Sequence, residues 1–252
     1  MEVGPCPLWS MRPALHRKVR FHVGICRLAT TSSALAAALA RQRRTIAAVA
    51  FGLAVSVKLL PIVLLPLYWR RVRVRDGVLA AVVVGILYTP FLNHGRIPVG
   101  SLDTYVRSFR FNDPVFAMLE QVTRPQVVAG LAVLVGLLTA MWMRTRFAES
   151  SSEAFAWPMA ASLLCAPVIY PWYLLWLLPF VRSVATLPIM IWTVSIIPTY
   201  YVWHLRTLGR PWVLPGWVMP LEYGSVAIAV AIIAARRITR PAALGYSPHQ
   251  VE

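Results

Sequence analysis

One lysine interrupts a long apolar stretch of the sequence. Lys58 is the only charged residue between residues 46 and 68. A charge inside a membrane span costs about 2.5–3.5 kcal/mol on insertion scales, so it requires a partner. Two interpretations remain open. Lys58 binds an anion, such as a lipid phosphate, beside a broken helix, or it hydrogen-bonds the carbonyls that the break frees and extends its ammonium toward the membrane surface.

A second group of charges lies between residues 93 and 125. Arg107 and Arg110 have the chemistry to hold phosphate oxygens, although arginines near a membrane more often contact lipid headgroups. Asp113 has the chemistry of a general base. Its setting, Phe111-Asn112-Asp113-Pro114, also fits an ordinary turn, since Asn and Asp before proline favour turns.

The remaining candidate residues are three aromatic residues and one glutamate. Tyr170, Trp172 and Tyr173 lie in the middle of a long apolar block, where such rings anchor a protein at the membrane interface. Glu222 follows a second polar segment, residues 204–216.

The sequence predicts no metal and no cofactor. His94 and His204 are far apart, and no acidic cluster joins them. The three cysteines have no CxxC spacing, so they indicate neither a disulfide framework nor a metal site.

The composition is that of a membrane protein. Hydrophobic residues make up 58% of the 252 residues and charged residues 13%, against about 45–50% and about 25% in soluble domains. A net charge of +16 also occurs in nucleic-acid binders, but those spread their charge over a soluble face. Here the basic residues form clusters between apolar runs, which excludes nucleic acid as the expected partner and favours membrane lipid.

Six apolar blocks are candidates to cross or enter a bilayer: residues 46–68, 77–92, 126–143, 154–181, 183–203 and 217–235. With the basic clusters on the cytoplasmic side, that side holds eighteen of the 25 Lys and Arg residues and the outer side six. The positive-inside rule predicts such an asymmetry. We therefore expect a multi-pass protein of the cell membrane.

Two blocks are predicted to form hairpins. Residues 46–68 have arginine clusters at both ends, so a single span would leave one cluster outside. A helix that breaks near Pro61 and returns avoids this, because proline removes a backbone donor; a single span remains the alternative. Residues 154–181 exceed one span and are expected to form two short helices that meet near residues 166–171.

The predicted fold is therefore all-α: a polytopic transmembrane helix bundle with two broken or short-helix hairpins. An extracytoplasmic loop is expected to carry a surface helix over residues 101–111. The chain divides into a basic N-terminal segment (1–40), a transmembrane domain (41–240) and a cytoplasmic tail (241–252).

Three stretches share a likeness with one family. They are Gly52-Leu53-Ala54 through Lys58-Leu59-Leu60-Pro61, then Tyr170-Pro171-Trp172-Tyr173 through Pro179, then Leu214-Pro215 through Leu221-Glu222-Tyr223-Gly224. In this order they resemble the C-terminal part of the GT-C glycosyltransferases that use polyprenyl-phosphate sugars, most closely glycosyltransferase family 87, which includes mannosyltransferases. The resemblance covers residues 33–240.

The resemblance implies a hexosyltransferase, mannosyl in its nearest relatives, that acts at the outer membrane face. It takes the sugar from a polyprenyl phosphate and adds it, with inversion, to a glycolipid or glycan acceptor. Asp113 is then the candidate catalytic base. The candidate contacts to substrate or lipid phosphate are Lys58, Arg107, Arg110, Tyr170, Trp172, Tyr173 and Glu222.

The chain departs from the family in two places. The family's base is an Asp in the first outer loop, and Glu2 is the only acidic residue before Asp76 here. Tyr170 also stands where many relatives have His. We therefore expect a truncated enzyme that transfers no sugar alone, or one that works with a partner supplying the missing N-terminal helices. The alternatives are a non-catalytic membrane subunit or remnant, and a transporter or flippase-like protein, although no paired half-sequences with matching breaks are visible.

Overall fold

The computed structural model describes residues 43–68, 72–92, 100–147 and 151–238. Within these ranges the chain is helical, and its only β pairing is an isolated parallel bridge between Phe111 and Val168. The all-α class predicted from the sequence is therefore confirmed. The predicted N-terminal segment 1–40, His94 and the tail 241–252 lie outside the described residues.

The α-helices, numbered in chain order, are α1 (Arg44–Val57), α2 (Leu65–Tyr68), α3 (Val74–Tyr88), α4 (Gly100–Ser108), α5 (Pro114–Glu120), α6 (Pro125–Arg146), α7 (Ser152–Leu164), α8 (Pro171–Leu174), α9 (Leu187–Ser195), α10 (Tyr201–Thr207) and α11 (Val218–Ile238). Short 3₁₀ turns occupy Leu60–Leu64, Thr89–Phe91, Leu178–Phe180, Val184–Thr186 and Ile197–Tyr200.

Within the described ranges, four helical segments are long and apolar enough to cross a membrane: Val74–Phe91, Pro125–Arg146, Val184–Thr207 and Val218–Arg236. Their mean hydropathy lies between 1.4 and 2.0, and at most 33% of each apolar window is buried inside the protein. Soluble monomers rarely expose apolar surface on this scale. The four segments coincide with four of the six blocks predicted from the sequence.

The first hairpin, residues 44–68, reverses direction at Lys58. Helix α1 ends at Val57, Lys58 is extended (φ −153°, ψ 141°), and a 3₁₀ turn that contains Pro61 follows. The rings of Phe51 and Tyr68 lie 4.6 Å apart, whereas a continuous helix would separate them by about 25 Å. The chain therefore turns back, as the preferred interpretation of the sequence required.

The second hairpin, residues 152–180, reverses in the same way. Helix α7 ends at Leu164, and α8 begins only at Pro171. The rings of Phe155 and Phe180 stack at 5.4 Å, although a single helix would hold them about 37 Å apart. The turn thus falls at residues 165–170, as predicted.

Helix α6 packs closely against both hairpins. A Cβ atom placed on Gly136 would lie 2.7 Å from Val63 Cγ1 and 2.9 Å from Ser162 Cβ. Only glycine permits this approach, and small residues commonly serve that purpose where helices meet. The main core lies around the contact and contains Leu64, Met159, Leu174 and Leu177. The two hairpin turns are consequently held on the same bundle.

The segment between α3 and α6 folds back onto the bundle. Helix α4 ends at Ser108, three residues short of the predicted surface helix, and α5 follows after a sharp turn. Val106, Phe116 and Val128 form a small core that joins α4, α5 and α6. The turn itself, Phe111-Asn112-Asp113, meets the second hairpin through the isolated bridge.

Candidate functional site

A cavity of about 650 Å³ lies where the two hairpin turns meet α4 and α6. The first hairpin contributes residues 57–60, 62 and 63, and the second contributes Ser162, Leu163, residues 166–168, Tyr173 and Trp176. The remaining wall comes from α4, residues 129, 130, 132 and 133 of α6 and the end of α3. Its volume is typical of ligand pockets, and nearly all of its lining is aliphatic or aromatic. An apolar ligand with few polar groups fits such a space.

Lys58 supplies the positive charge of the cavity. Its Nζ lies 5.4 Å from the centroid of the Tyr173 ring and 5.1 Å from that of Trp176, which are cation–π distances. Within the described residues no carboxylate forms an ion pair with Lys58. The ammonium therefore faces aromatic rings and an apolar space in which an anion would be its natural partner.

Asp113 is a buried carboxylate with one unused oxygen. It stands at the N-terminal end of α5 but its side chain does not cap that helix. Its Oδ2 is buried without a hydrogen bond and lies 3.9 Å from Arg110 Nε. Burial raises the pKa of Asp113 to about 6, although the nearby Arg110 opposes the rise. A carboxylate with such a pKa suits a general base near neutral pH.

Tyr105 lies between the cavity and the loop of Asp113. Its side chain lines the cavity and packs with Tyr173, the residue beneath Lys58, against Phe111 and Val168. Burial raises the pKa of Tyr105, and the neighbouring Tyr173 raises it further. Asp113 itself does not line the cavity; it follows Asn112 and Phe111, and Phe111 pairs with Val168 of the cavity wall. The sequence marked Tyr105 only as part of a surface helix, and no motif distinguished it.

The two candidate arginines of the loop are engaged with the protein. Arg107 pairs with Asp103 one turn earlier, and both side chains are exposed. Arg110 donates to both oxygens of Glu120 and to the carbonyls of Val106 and Phe109. Neither arginine lines the cavity. In this arrangement Arg110 holds the loop together, which differs from the phosphate contact that the sequence suggested.

Tyr170 and Trp172 lie beside the cavity in an aromatic cluster. The Tyr170 ring stacks on Trp172 at 4.4 Å and packs on Phe111 at 4.6 Å. Trp203 and Trp212 extend the cluster toward the surface. Of the three predicted aromatic contacts, Tyr173 alone borders the cavity.

Glu222 lies in a separate polar network. Its carboxylate is fully buried and accepts hydrogen bonds from Asn112 Nδ2 at 2.9 and 3.1 Å and from Trp192 Nε1 at 2.6 Å. The neighbouring Tyr223 hydroxyl donates to the Asn112 carbonyl at 2.9 Å. Glu222 does not border the cavity, so its contact is with the loop that carries Asp113.

Metal chemistry finds no support in the described part of the chain, where no group of three His, Cys, Asp or Glu side chains is arranged to hold an ion.

No protein-family model, curated protein or solved structure matches this chain. Its function is therefore inferred from the site itself.

Proposed function

We propose that this chain is a multi-pass membrane protein of the GT-C glycosyltransferase type that binds a polyprenyl-phosphate-linked sugar, with mannose the first sugar to test. The observation that carries the proposal is the Lys58 ammonium in an apolar cavity between two helical hairpins, with no carboxylate beside it within the described residues. A polyprenyl phosphate combines the two properties that this cavity matches, an apolar chain and an anionic head.

The arrangement of arginines supports a cavity in the outer half of the membrane. The segment Val184–Thr207 has arginine at both ends, Arg182 and Arg206. In the other three long apolar segments arginine is concentrated at one end: Arg73 and Arg75, Arg144 and Arg146 against Arg124 alone, and Arg236. The positive-inside rule assigns these ends to the cytoplasm. The cavity borders Tyr88 and residues 129, 130, 132 and 133, which are near the opposite ends. Both hairpins would then enter from the cytoplasm and turn beside the ligand.

Irregular backbone at the hairpin turns also favours a binding site. Non-helical backbone at membrane depth is tolerated where it is buried in protein or lines a cavity. Residues 58–60 and 166–168 are the turns of the two hairpins, and both line the cavity. The breaks thus occur where a polar headgroup would be received.

Inverting transfer gives separate roles to Asp113 and to Lys58. The Asp113 Oδ2 takes the proton of the acceptor hydroxyl, and the hydroxyl oxygen forms a bond to the anomeric carbon. The bond from that carbon to the phosphate oxygen breaks, and the phosphate keeps the electron pair. Lys58 stabilises the charge on the departing phosphate.

Binding measurements on the full chain in lipid nanodiscs test the proposal. Tritiated decaprenyl phosphate should bind saturably, unlabelled decaprenyl-phosphate-mannose should displace it, and inorganic phosphate should not. Decaprenol, which lacks the phosphate, should compete at least tenfold more weakly. Failure of decaprenyl phosphate to bind, or equal competition by decaprenol, would show that the cavity does not recognise a prenyl-linked anion.

Transfer itself is tested in membranes from cells that produce the chain. Incorporation of labelled mannose from decaprenyl-phosphate-mannose into a glycolipid or glycan should exceed that in membranes with the Asp113→Asn variant. Equal incorporation in the two preparations would remove Asp113 as the base.

A further inference from the structure

Glu222 is a buried carboxylate whose partners are all neutral donors. In the described part of the chain it forms no ion pair, and three N–H···O contacts from Asn112 and Trp192 surround it. A buried polar group is tolerated only when hydrogen bonds replace its water. The Asn112 and Glu222 side chains are therefore strongly bound to each other.

Asn112 needs such a restraint because of its backbone. Its φ of 55° lies in the left-handed region, and it is the one non-glycine residue with positive φ in the described ranges. Asparagine tolerates this conformation better than most residues, yet the surroundings must hold it there. The Glu222 carboxylate holds its side chain, and the Tyr223 hydroxyl holds its carbonyl.

The residue before Asn112 is fixed from the opposite side. Phe111 N donates to the Pro167 carbonyl at 3.2 Å, and Ile169 N donates to the Phe111 carbonyl at 2.9 Å. Pro167 and Val168 line the cavity. Residues 111–112 are thus held between α11 and the turn of the second hairpin, and Asp113 follows directly.

We propose that Glu222 is a positioning residue: through Asn112 it holds Asp113 directly after the bridge from Phe111 to Val168 of the cavity wall, with Oδ2 buried and free of hydrogen bonds. The proposal rests on the proposed function, since it takes Asp113 as the base. It departs from the resemblance, which suggested Glu222 as a contact to substrate. A residue that only stabilises the fold would leave the acid–base behaviour of Asp113 unchanged in every variant that folds.

The experiment measures the titration of Asp113 directly. Infrared difference spectra between each protein and its Asp113→Asn counterpart, in nanodiscs, report the protonated carboxyl of Asp113 as pH varies. In the unaltered chain the midpoint should lie at about pH 6, because burial raises the pKa of Asp113. Binding of decaprenyl phosphate is measured on the same samples.

Two variants break the link between Glu222 and Asn112. Glu222→Ala removes the carboxylate, and Asn112→Gly removes the amide while keeping a backbone that accepts positive φ. Each should loosen Asn112 and Asp113, let water reach Asp113 and move the midpoint below about pH 5, toward the ordinary aspartate value. The two changes combined should produce no further shift. Decaprenyl phosphate affinity should stay within about twofold, because Lys58 is untouched.

Two matched variants leave the link intact. In Glu222→Gln the new amide can donate to Asn112 Oδ1, which is buried without a partner, once the Asn112 amide rotates. Its midpoint should remain near that of the unaltered chain. Glu153→Ala removes a carboxylate that is bonded to Ser151 and Ser152 at the start of α7, and it should also leave the midpoint in place.

An unmoved midpoint in folded Asn112→Gly would overturn the proposal, whether or not Glu222→Ala folds. A midpoint that moves equally in Glu153→Ala would overturn it as well, because the effect would then be unspecific. Absence of decaprenyl phosphate binding to the unaltered chain would instead defeat the proposed function, and the Asp113 titration would still report on the positioning.

Discussion

Replacement of Lys58 by methionine should weaken binding of decaprenyl phosphate by about 30-fold. Methionine retains an unbranched apolar side chain of similar length, so the cavity keeps its shape while the charge is lost. The Lys58 Nζ lies within 5.5 Å of two ring centroids and has no carboxylate partner within the described residues. We therefore expect a phosphate oxygen to be the anionic partner of the Lys58 ammonium.

The magnitude follows from the setting of the ammonium. Two unit charges at about 4 Å attract by about 4 kcal/mol at an effective dielectric constant near 20. Removal of water from Lys58 and the phosphate offsets part of this, and hydrogen bonds to charged groups contribute about 1.5–3 kcal/mol net. A loss of about 2 kcal/mol corresponds to about 30-fold in Kd.

Scintillation proximity binding of tritiated decaprenyl phosphate to nanodisc-embedded protein measures the effect. Lys58→Arg keeps the charge and should lose less than about fivefold, whereas affinity for decaprenol should be the same in Lys58→Met and the unaltered chain. Arg107→Met removes an exposed arginine that pairs with Asp103 and should leave both affinities unchanged. Equal decaprenyl phosphate affinity in Lys58→Met and the unaltered chain would refute the assignment of Lys58 to the phosphate.

Two further predictions concern the packing of the bundle and the base. Gly136→Ala should destabilise the protein by about 1–3 kcal/mol, because the added Cβ would lie 2.7 Å from Val63. The control Gly130→Ala, in the same helix, meets no atom within 4 Å and should not lower the thermal unfolding midpoint. Equal unfolding midpoints for the two variants would contradict the close contact at Gly136. Asp113 is ionised only above its pKa of about 6, so mannosyl transfer in membranes should rise as pH increases from 5 to 7 and then level off. A profile that is flat over this range would exclude Asp113.

Much of the helical architecture could be predicted from local signals. Four long apolar blocks match four long helical segments. The length of an apolar run can be read from the sequence alone and compared with the thickness of a bilayer. The first hairpin was predictable because a lysine, a proline and arginine clusters at both ends make a single span unfavourable. Its turn falls at Lys58, where helix α1 ends.

The candidate site was only partly accessible from the sequence. Lys58 stood out because a single charge interrupts an apolar run, and Tyr173 shares the cavity with it. The contact between Asn112 and Glu222 joins residues 110 positions apart, and no local pattern reports a contact of that kind. The sequence also left the role of Arg110 open, because the fold of the loop brings Glu120 into contact with it.

Photoaffinity labelling locates the bound lipid and so shows whether a polyprenyl phosphate lies between the two hairpins. A decaprenyl phosphate analogue with a photoreactive group next to its phosphate should label the cavity walls of the nanodisc-embedded chain, at residues 57–60, 62, 63 and 166–168. Excess decaprenyl-phosphate-mannose should suppress this labelling, and Lys58→Met should reduce it at equal lipid concentration. Labelling confined to the outward faces of α3 and α11, unaffected by competitor, would contradict a polyprenyl phosphate site between the hairpins.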